Sequence, residues 1–256
     1  MRRVRIGGIV DISTVDWTSK VCSVIFFSGC NFRCPYCQNS KLIDINYGRE
    51  VEVDDLVNYV LKSKMLIEGV VITGGECTLQ LEGLKSLCRK LKEQGLGVGI
   101  DTNGSNPKAI RELLEEGLID RVALDVKAPL EEPNVYEKVV GLPGQGEVVV
   151  NRVEETLDIL LAIKNLEVEV RVLVVPTLMD DDQYIKLIAR RVKGATRLII
   201  QQFRPEADLL DQTLKAVKPP SRQELIHKAK IALDEGVENV FIRTRENGLE
   251  RVKKGL

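Results

Sequence analysis

The chain has 256 residues, 44% apolar and 29% charged, with a formal net charge of −1. That length supports a sizeable core, and the near-neutral balance excludes the basic field of a nucleic-acid binder. The start, MRRVRIGGIVDIST, lacks the apolar stretch of a secretory leader, and no apolar run nears a membrane span, so one cytoplasmic domain over 1–256 is expected, with no nucleic-acid or membrane partner.

Short β-rich runs alternate with amphipathic stretches. Residues 21–27 (VCSVIFF) read as a strand, and Val53, Leu56, Val57, Val60 and Leu61 give residues 52–64 the apolar stripe of a surface helix. A strand at 69–73, a helix at about 80–94, a strand at 97–101 and a helix opening at Pro107 follow. A fourth strand is predicted at 121–126, then a Pro- and Gly-rich loop at about 128–148, long enough to suspect a function. A helix at 151–164, a strand at 167–175, a helix capped by Asp180 and ending near Gly194, a strand at 196–202, a helix at 221–236 opened by Ser221 and a strand at 239–244 complete the chain.

Strands alternating with helices predict βαβ units and a parallel sheet. The run at 167–175 chooses between a doubly wound sheet and a barrel. Val168, Val170, Val172 and Val174 form one face and Glu167, Glu169, Arg171, Leu173 and Val175 the other. A strand between two helix layers is apolar on both faces, whereas a mixed face suits a barrel interior that holds a polar ligand. The expected fold is therefore α/β, an incomplete (β/α)6-type TIM-like barrel, with a C-terminal extension at about 205–256.

In barrels of this kind the chemistry sits at the C-terminal strand ends, and here those ends are polar. They carry Thr73-Gly74-Gly75-Glu76, Asp101-Thr102-Asn103-Gly104-Ser105, Asp125-Val126-Lys127 and Gln201-Gln202-Phe203-Arg204, with Arg171 inside the fifth strand. Gly97 and Gly99, on the face of Asp101, would leave room for a ligand.

Six cysteines all precede residue 89. Cys22 and Cys88 fall in step with apolar neighbours and read as core; Cys77 reads as a fill-in. Cys30, Cys34 and Cys37, in a loop at 28–40, are spaced C-x3-C-x2-C with no fourth Cys or His nearby. Three thiolates suit an iron–sulfur cluster with one iron open to an outside ligand. A structural zinc or electron-transfer module is the alternative from another class, and it would require a fourth protein ligand.

Cys30-x3-Cys34-x-Tyr36-Cys37, with Gly-Gly-Glu ending the next strand, resembles the signature of the radical S-adenosylmethionine (radical SAM) superfamily. Within it the chain is similar to glycyl-radical enzyme activating enzymes, the group of pyruvate formate-lyase activating enzymes and anaerobic ribonucleoside-triphosphate reductase activating proteins. DTNGSNP, LDVKAP, VLVVPT and VKPPSRQELIHKAK sustain the likeness from about residue 10 to the C-terminal helix. The resemblance implies that Cys30, Cys34 and Cys37 hold a [4Fe–4S] cluster whose open iron is chelated by SAM. It puts Tyr36 near the adenine and the methionine ammonium at Gly74, Gly75 and Glu76. Lys127 and Arg171 would meet the methionine carboxylate or ribose, with Asn103 also at SAM, and Asp101, Thr102 and Asp125 would hold a monovalent cation. The implied reaction is reductive SAM cleavage to a 5′-deoxyadenosyl radical, which makes a glycyl radical on a partner such as an anaerobic ribonucleotide reductase, with electrons from a flavodoxin- or ferredoxin-type donor. A small-molecule substrate is the alternative within the class. The chain departs from many relatives at Gln38, Cys77 and Arg204, and Trp17-Thr18-Ser19 replaces a Gly-Pro turn.

Overall fold

The structure, a computed structural model, describes residues 2–206 and 208–254. The chain comprises two compact units. The first takes in the chain up to Asn31, Lys41–Thr102 and Asn106–Ala123; the second takes in Phe32–Ser40, Asn103–Ser105 and the chain from Leu124.

The first unit carries strands β1 (Arg3–Ser13), β2 (Cys22–Phe27), β3 (Arg49–Glu52), β4 (Gly69–Gly74) and β5 (Gly97–Thr102), ordered β3-β1-β2-β4-β5. β1 is antiparallel to β2 and β3, while β2, β4 and β5 are parallel, with Ile25 beside Ile72 and Ile72 beside Ile100. These three isoleucines are fully buried. Helices α1 (Val53–Leu61), α2 (Leu81–Glu93) and α3 (Pro107–Glu115) accompany the strands. The predicted stripe of α2 is the buried one: Leu84, Leu87, Cys88 and Leu91. Asn106 caps α3 by accepting the Ala109 N–H at 3.3 Å.

Strand β6 (Arg121–Asp125) begins in the first unit and ends in the second. The second unit adds β7 (Glu167–Val174), β8 (Arg197–Gln202) and β9 (Val240–Thr244), all parallel, and β10 (Gly248–Val252), antiparallel to β9. Its helices are α4 (Pro133–Val140), α5 (Gly146–Ala162), α6 (Asp182–Arg191) and α7 (Arg222–Asp234). Ser221 caps α7 in a reciprocal capping box with Glu224. The cap of α6 is Asp181 rather than Asp180: Asp181 accepts the Gln183 N–H at 2.8 Å, and Asp180 accepts that of Thr177. The valine face of β7 is buried as expected, and so is Glu169 on its mixed face.

Two further readings are corrected. The long loop at 128–148 contains α4 and the first turn of α5; α4 opens on Pro133 and closes on Gly141, whose left-handed φ of 68° makes the C-cap. The room beside Gly97 and Gly99 is taken by protein. A Cβ on Gly69, Gly97 or Gly99 would lie 2.9, 3.3 or 3.3 Å from the ring of Trp17, which is 1% exposed. Lys20 stands 4.5 Å from that ring's centroid and the Arg121 guanidinium 5.8 Å. Trp17→Ala is expected to lower stability by about 3–5 kcal/mol, measured by urea unfolding; a loss below about 1 kcal/mol would contradict this packing.

Candidate active site

The cysteine loop starts in the first unit, where the Cys30 N–H meets the Ile43 carbonyl at 3.2 Å. Cys34 and Cys37 belong to the second unit, which ties the loop down by backbone bonds. The Arg33 N–H reaches the Val140 carbonyl at the end of α4 (2.9 Å), and the Pro35 carbonyl accepts from Asp211 at 2.8 Å. The Ser40 hydroxyl donates to the Asp208 carbonyl at 2.7 Å. Gly141 is required here for a second reason, since a Cβ would lie 2.1 Å from the Arg33 carbonyl oxygen. The C-terminal segment and the unpredicted α4 therefore both hold the loop.

All six cysteines are free thiols. Burial pushes the Cys34 thiol up to about 11, with Lys127 pulling the other way, and raises Cys37 for the same first reason. Tyr36, between them, is buried. Cys22 and Cys88 are held up at about 11 and about 12, again by burial first. Cys77 is fully buried beside Glu76 and its Sγ donates to the Asp101 carbonyl at 3.5 Å, which makes it the small core residue expected.

At the end of β4 the backbone turns where only glycine fits. Gly74 has φ of 126°, and a Cβ would lie 2.1 Å from the Phe27 carbonyl oxygen; at Gly75 it would lie 2.2 Å from that of Gly29. The Gly75 and Glu76 N–H groups bond the Phe27 and Gly29 carbonyls at 2.9 and 2.7 Å. The Glu76 side chain is 0% exposed. Its Oε1 accepts from the Thr78 N–H (3.1 Å), the Thr78 hydroxyl (2.6 Å) and the Thr102 hydroxyl (2.9 Å). The carboxylate expected to meet an ammonium is thus held by two threonines, and it caps the short 3-10 turn Cys77–Gln80.

The other expected residues have partners within their own units. Asp101 accepts from Arg121 Nη1 at 3.1 Å, and Asp125 accepts from Lys127 Nζ at 3.1 Å. Burial opposes the charge on Lys127, but Asp125, Tyr36 and Cys34 together hold the lysine well above its ordinary range. The Lys127 N–H points to the Tyr136 hydroxyl of α4 at 3.3 Å. Arg171 Nε donates to the buried Glu169 at 2.6 Å, and Arg197 reaches the other oxygen of Glu169 at 3.4 Å. Asn103 Oδ1 accepts from the Ser105 N–H at 2.9 Å, an Asx turn. Arg204 is exposed. Sequence reasoning missed Arg121, Tyr136 and Glu169 as partners. Only Glu169 left a signal, as an acid two residues before Arg171 on the same strand face.

Three thiols spaced C-x3-C-x2-C fit an iron–sulfur cluster with an open iron. Among the described residues no three His, Cys, Asp or Glu side chains are grouped as a single metal ion would need; the irons of a cluster each take their own thiolate.

Residues 24–182 match the radical SAM superfamily. The chain belongs to that superfamily and is an enzyme of its radical SAM class. It is 38% identical over 93% of its length to a Methanocaldococcus jannaschii protein that carries the provisional name glycyl-radical enzyme activating enzyme, and covers 95% of that protein. It is 32% identical to the pyruvate formate-lyase-activating enzyme of Clostridium pasteurianum, over 74% of this chain and 76% of that one. To the pyruvate formate-lyase 1-activating enzyme of Escherichia coli K12 it is 30% identical, over 86% and 92%. Among solved structures it resembles TYW1 with a lysine–pyruvate adduct bound, with a TM-score of 0.62 and 16% identity over 89% of this chain and 77% of that chain. That likeness bears on fold alone and agrees with the expected incomplete barrel. No helix among the described residues is long and apolar enough to cross a membrane.

Proposed function

We propose that this enzyme generates a glycyl radical on a partner enzyme, with an anaerobic ribonucleotide reductase as the first candidate. The observation that carries the reading is identity of 30–38%, along most of the chain, to three proteins named for activating glycyl-radical enzymes or pyruvate formate-lyase. It works in the cytoplasm with a flavodoxin- or ferredoxin-type electron donor.

Cys30, Cys34 and Cys37 would hold the [4Fe–4S] cluster, and Tyr36 would lie near the adenine of SAM. When bound, cluster and SAM together supply reductive cleavage of the sulfonium and a 5′-deoxyadenosyl radical. The chain's own part is to bind and orient. Gly74 and Gly75 let the backbone approach the methionine ammonium, and Glu76, pinned by Thr78 and Thr102, fixes that turn. Lys127 supplies a cation that Asp125 helps keep charged despite burial, suited to a carboxylate. Arg171, set by Glu169, presents a planar fork to carboxylate or ribose. Asn103, which shapes the turn after β5, would also meet SAM. The test mixes this protein, SAM and a reductant with a candidate glycyl-radical enzyme and looks for an organic radical on the partner by electron paramagnetic resonance. No partner radical, with a small metabolite consumed alongside SAM, would overturn the reading.

The assignment of Thr102 carries its own expectation. Thr102→Val removes a hydroxyl from a buried carboxylate and should lower stability by about 2 kcal/mol. Urea unfolding of the protein checks it, and an unchanged midpoint would show that the Thr102–Glu76 bond contributes nothing.

A further inference from the structure

We propose that Glu169 is a positioning residue for SAM binding: its negative charge, divided between Arg171 and Arg197, holds Arg171 in the one orientation in which it meets SAM. The proposal rests on the reading given above for Arg171, and it concerns side chains of the second unit alone. Glu167, Glu169 and Arg171 stand on one face of β7, and Arg197 opens β8 directly beside Glu169. Both oxygens of Glu169 are engaged. Oε1 accepts from Arg171 Nε at 2.6 Å, and Oε2 accepts from Arg197 Nη1 at 3.4 Å. Arg197 Nη1 also meets Glu167 Oε1 at 2.9 Å. Charges thus alternate along the pair of strands, in the order Glu167, Arg197, Glu169, Arg171.

Glu169 is 0% exposed, so its charge is sustained by protein groups, these two guanidiniums among them. The alternating series ends on a cation. Beyond Arg171, β7 runs Val172-Leu173-Val174; beyond Ile199, the neighbour of Arg171, β8 runs Ile200-Gln201-Gln202. Neither carries a further carboxylate, so within this strand pair Glu169 is the acid nearest the C-terminal ends. A guanidinium is planar, and a bond at Nε fixes the plane of its fork and the direction in which the outer edge is presented. Charge matters here as well as shape. A glutamine at 169 keeps the size but offers one acceptor oxygen instead of two, so one guanidinium loses its bond, and the two cations face each other without the anion between them.

The experiment measures SAM binding to the cluster-loaded protein by anaerobic equilibrium dialysis, with variants compared at equal iron content. Glu169→Gln is expected to raise the dissociation constant more than threefold. Glu169→Asp, which keeps the charge but sets it one methylene back, should raise it less. On an Arg171→Ala background, Glu169→Gln should change the constant less than threefold, because no fork is left to orient. A Glu169→Gln protein within threefold of wild type overturns the proposal. So does a loss of threefold or more on the Arg171→Ala background, which is what general damage to the fold would give. If Glu169→Gln does not fold, Glu169→Asp carries the comparison: weaker binding that disappears on the Arg171→Ala background supports the proposal, and unchanged binding overturns it. An Arg171→Ala protein that binds SAM as wild type does would overturn the reading of Arg171 itself, and the proposal with it. None of these readouts depends on which hydrogen the radical takes, so the glycyl-radical reading and this proposal stand or fall separately.

Discussion

Cys34→Ala, like Cys30→Ala and Cys37→Ala, is expected to abolish cluster binding outright. Each removes one of only three thiolates, and no other cysteine of the chain is placed to replace it. Cys22, Cys77 and Cys88 are fully buried in the first unit. Their thiols are held protonated by burial, up to about 11 for Cys22 and about 12 for Cys88, and only the thiolate binds metal. Cys34 is also pushed up to about 11 by burial, so what sets it apart is its place in the loop between Cys30 and Cys37, where ligation would drive off the proton. Cys22→Ala and Cys88→Ala should therefore keep the cluster and cost about 1 kcal/mol of stability through packing. Iron content and visible absorption after anaerobic reconstitution separate the two groups. Full iron loading of Cys34→Ala would end the assignment of the loop.

The parallel part of the fold was legible because its strands are short apolar runs separated by amphipathic ones: 21–27, 69–73, 97–101, 121–126, 167–175 and 196–202. Strand β1 was not, because Gly7 and Gly8 break its alternation where the pairing with β2 shifts register between Ile6 and Gly8. Helix α4 was hidden by its own punctuation: Pro133 and Gly141, which made the stretch look like a loop, are its first residue and its C-cap. Strands β3 and β10 are edge strands of four and five residues with no buried face to mark them.

For the site, the candidate residues were picked out by type and spacing, since three cysteines, a Gly-Gly-Glu turn and charged strand ends stand out against apolar surroundings. Their partners were not. Arg121 meets Asp101 across 20 residues of sequence, and Tyr136 reaches Lys127 from a helix that no periodicity announced. The ring of Trp17 occupies space that Gly97 and Gly99 seemed to leave for a ligand. Long-range pairing decides such contacts, and sequence order does not record it.

The same partner residues shape the largest functional expectation, transfer of the radical to a glycine of another protein. Lys127 and Arg171 are oriented by Asp125 and Glu169, so in the proposed reading a bound SAM would meet donors already fixed by the fold rather than mobile ones. Without a partner, the radical has no correctly placed hydrogen to abstract, and SAM cleavage should be slow and unproductive. The direct measurement uses a candidate glycyl-radical enzyme carrying glycine deuterated at the α-carbon, mixed anaerobically with this protein, SAM and a reductant. The account predicts that deuterium moves into 5′-deoxyadenosine as an organic radical builds on the partner; unlabelled 5′-deoxyadenosine with no partner radical would contradict it.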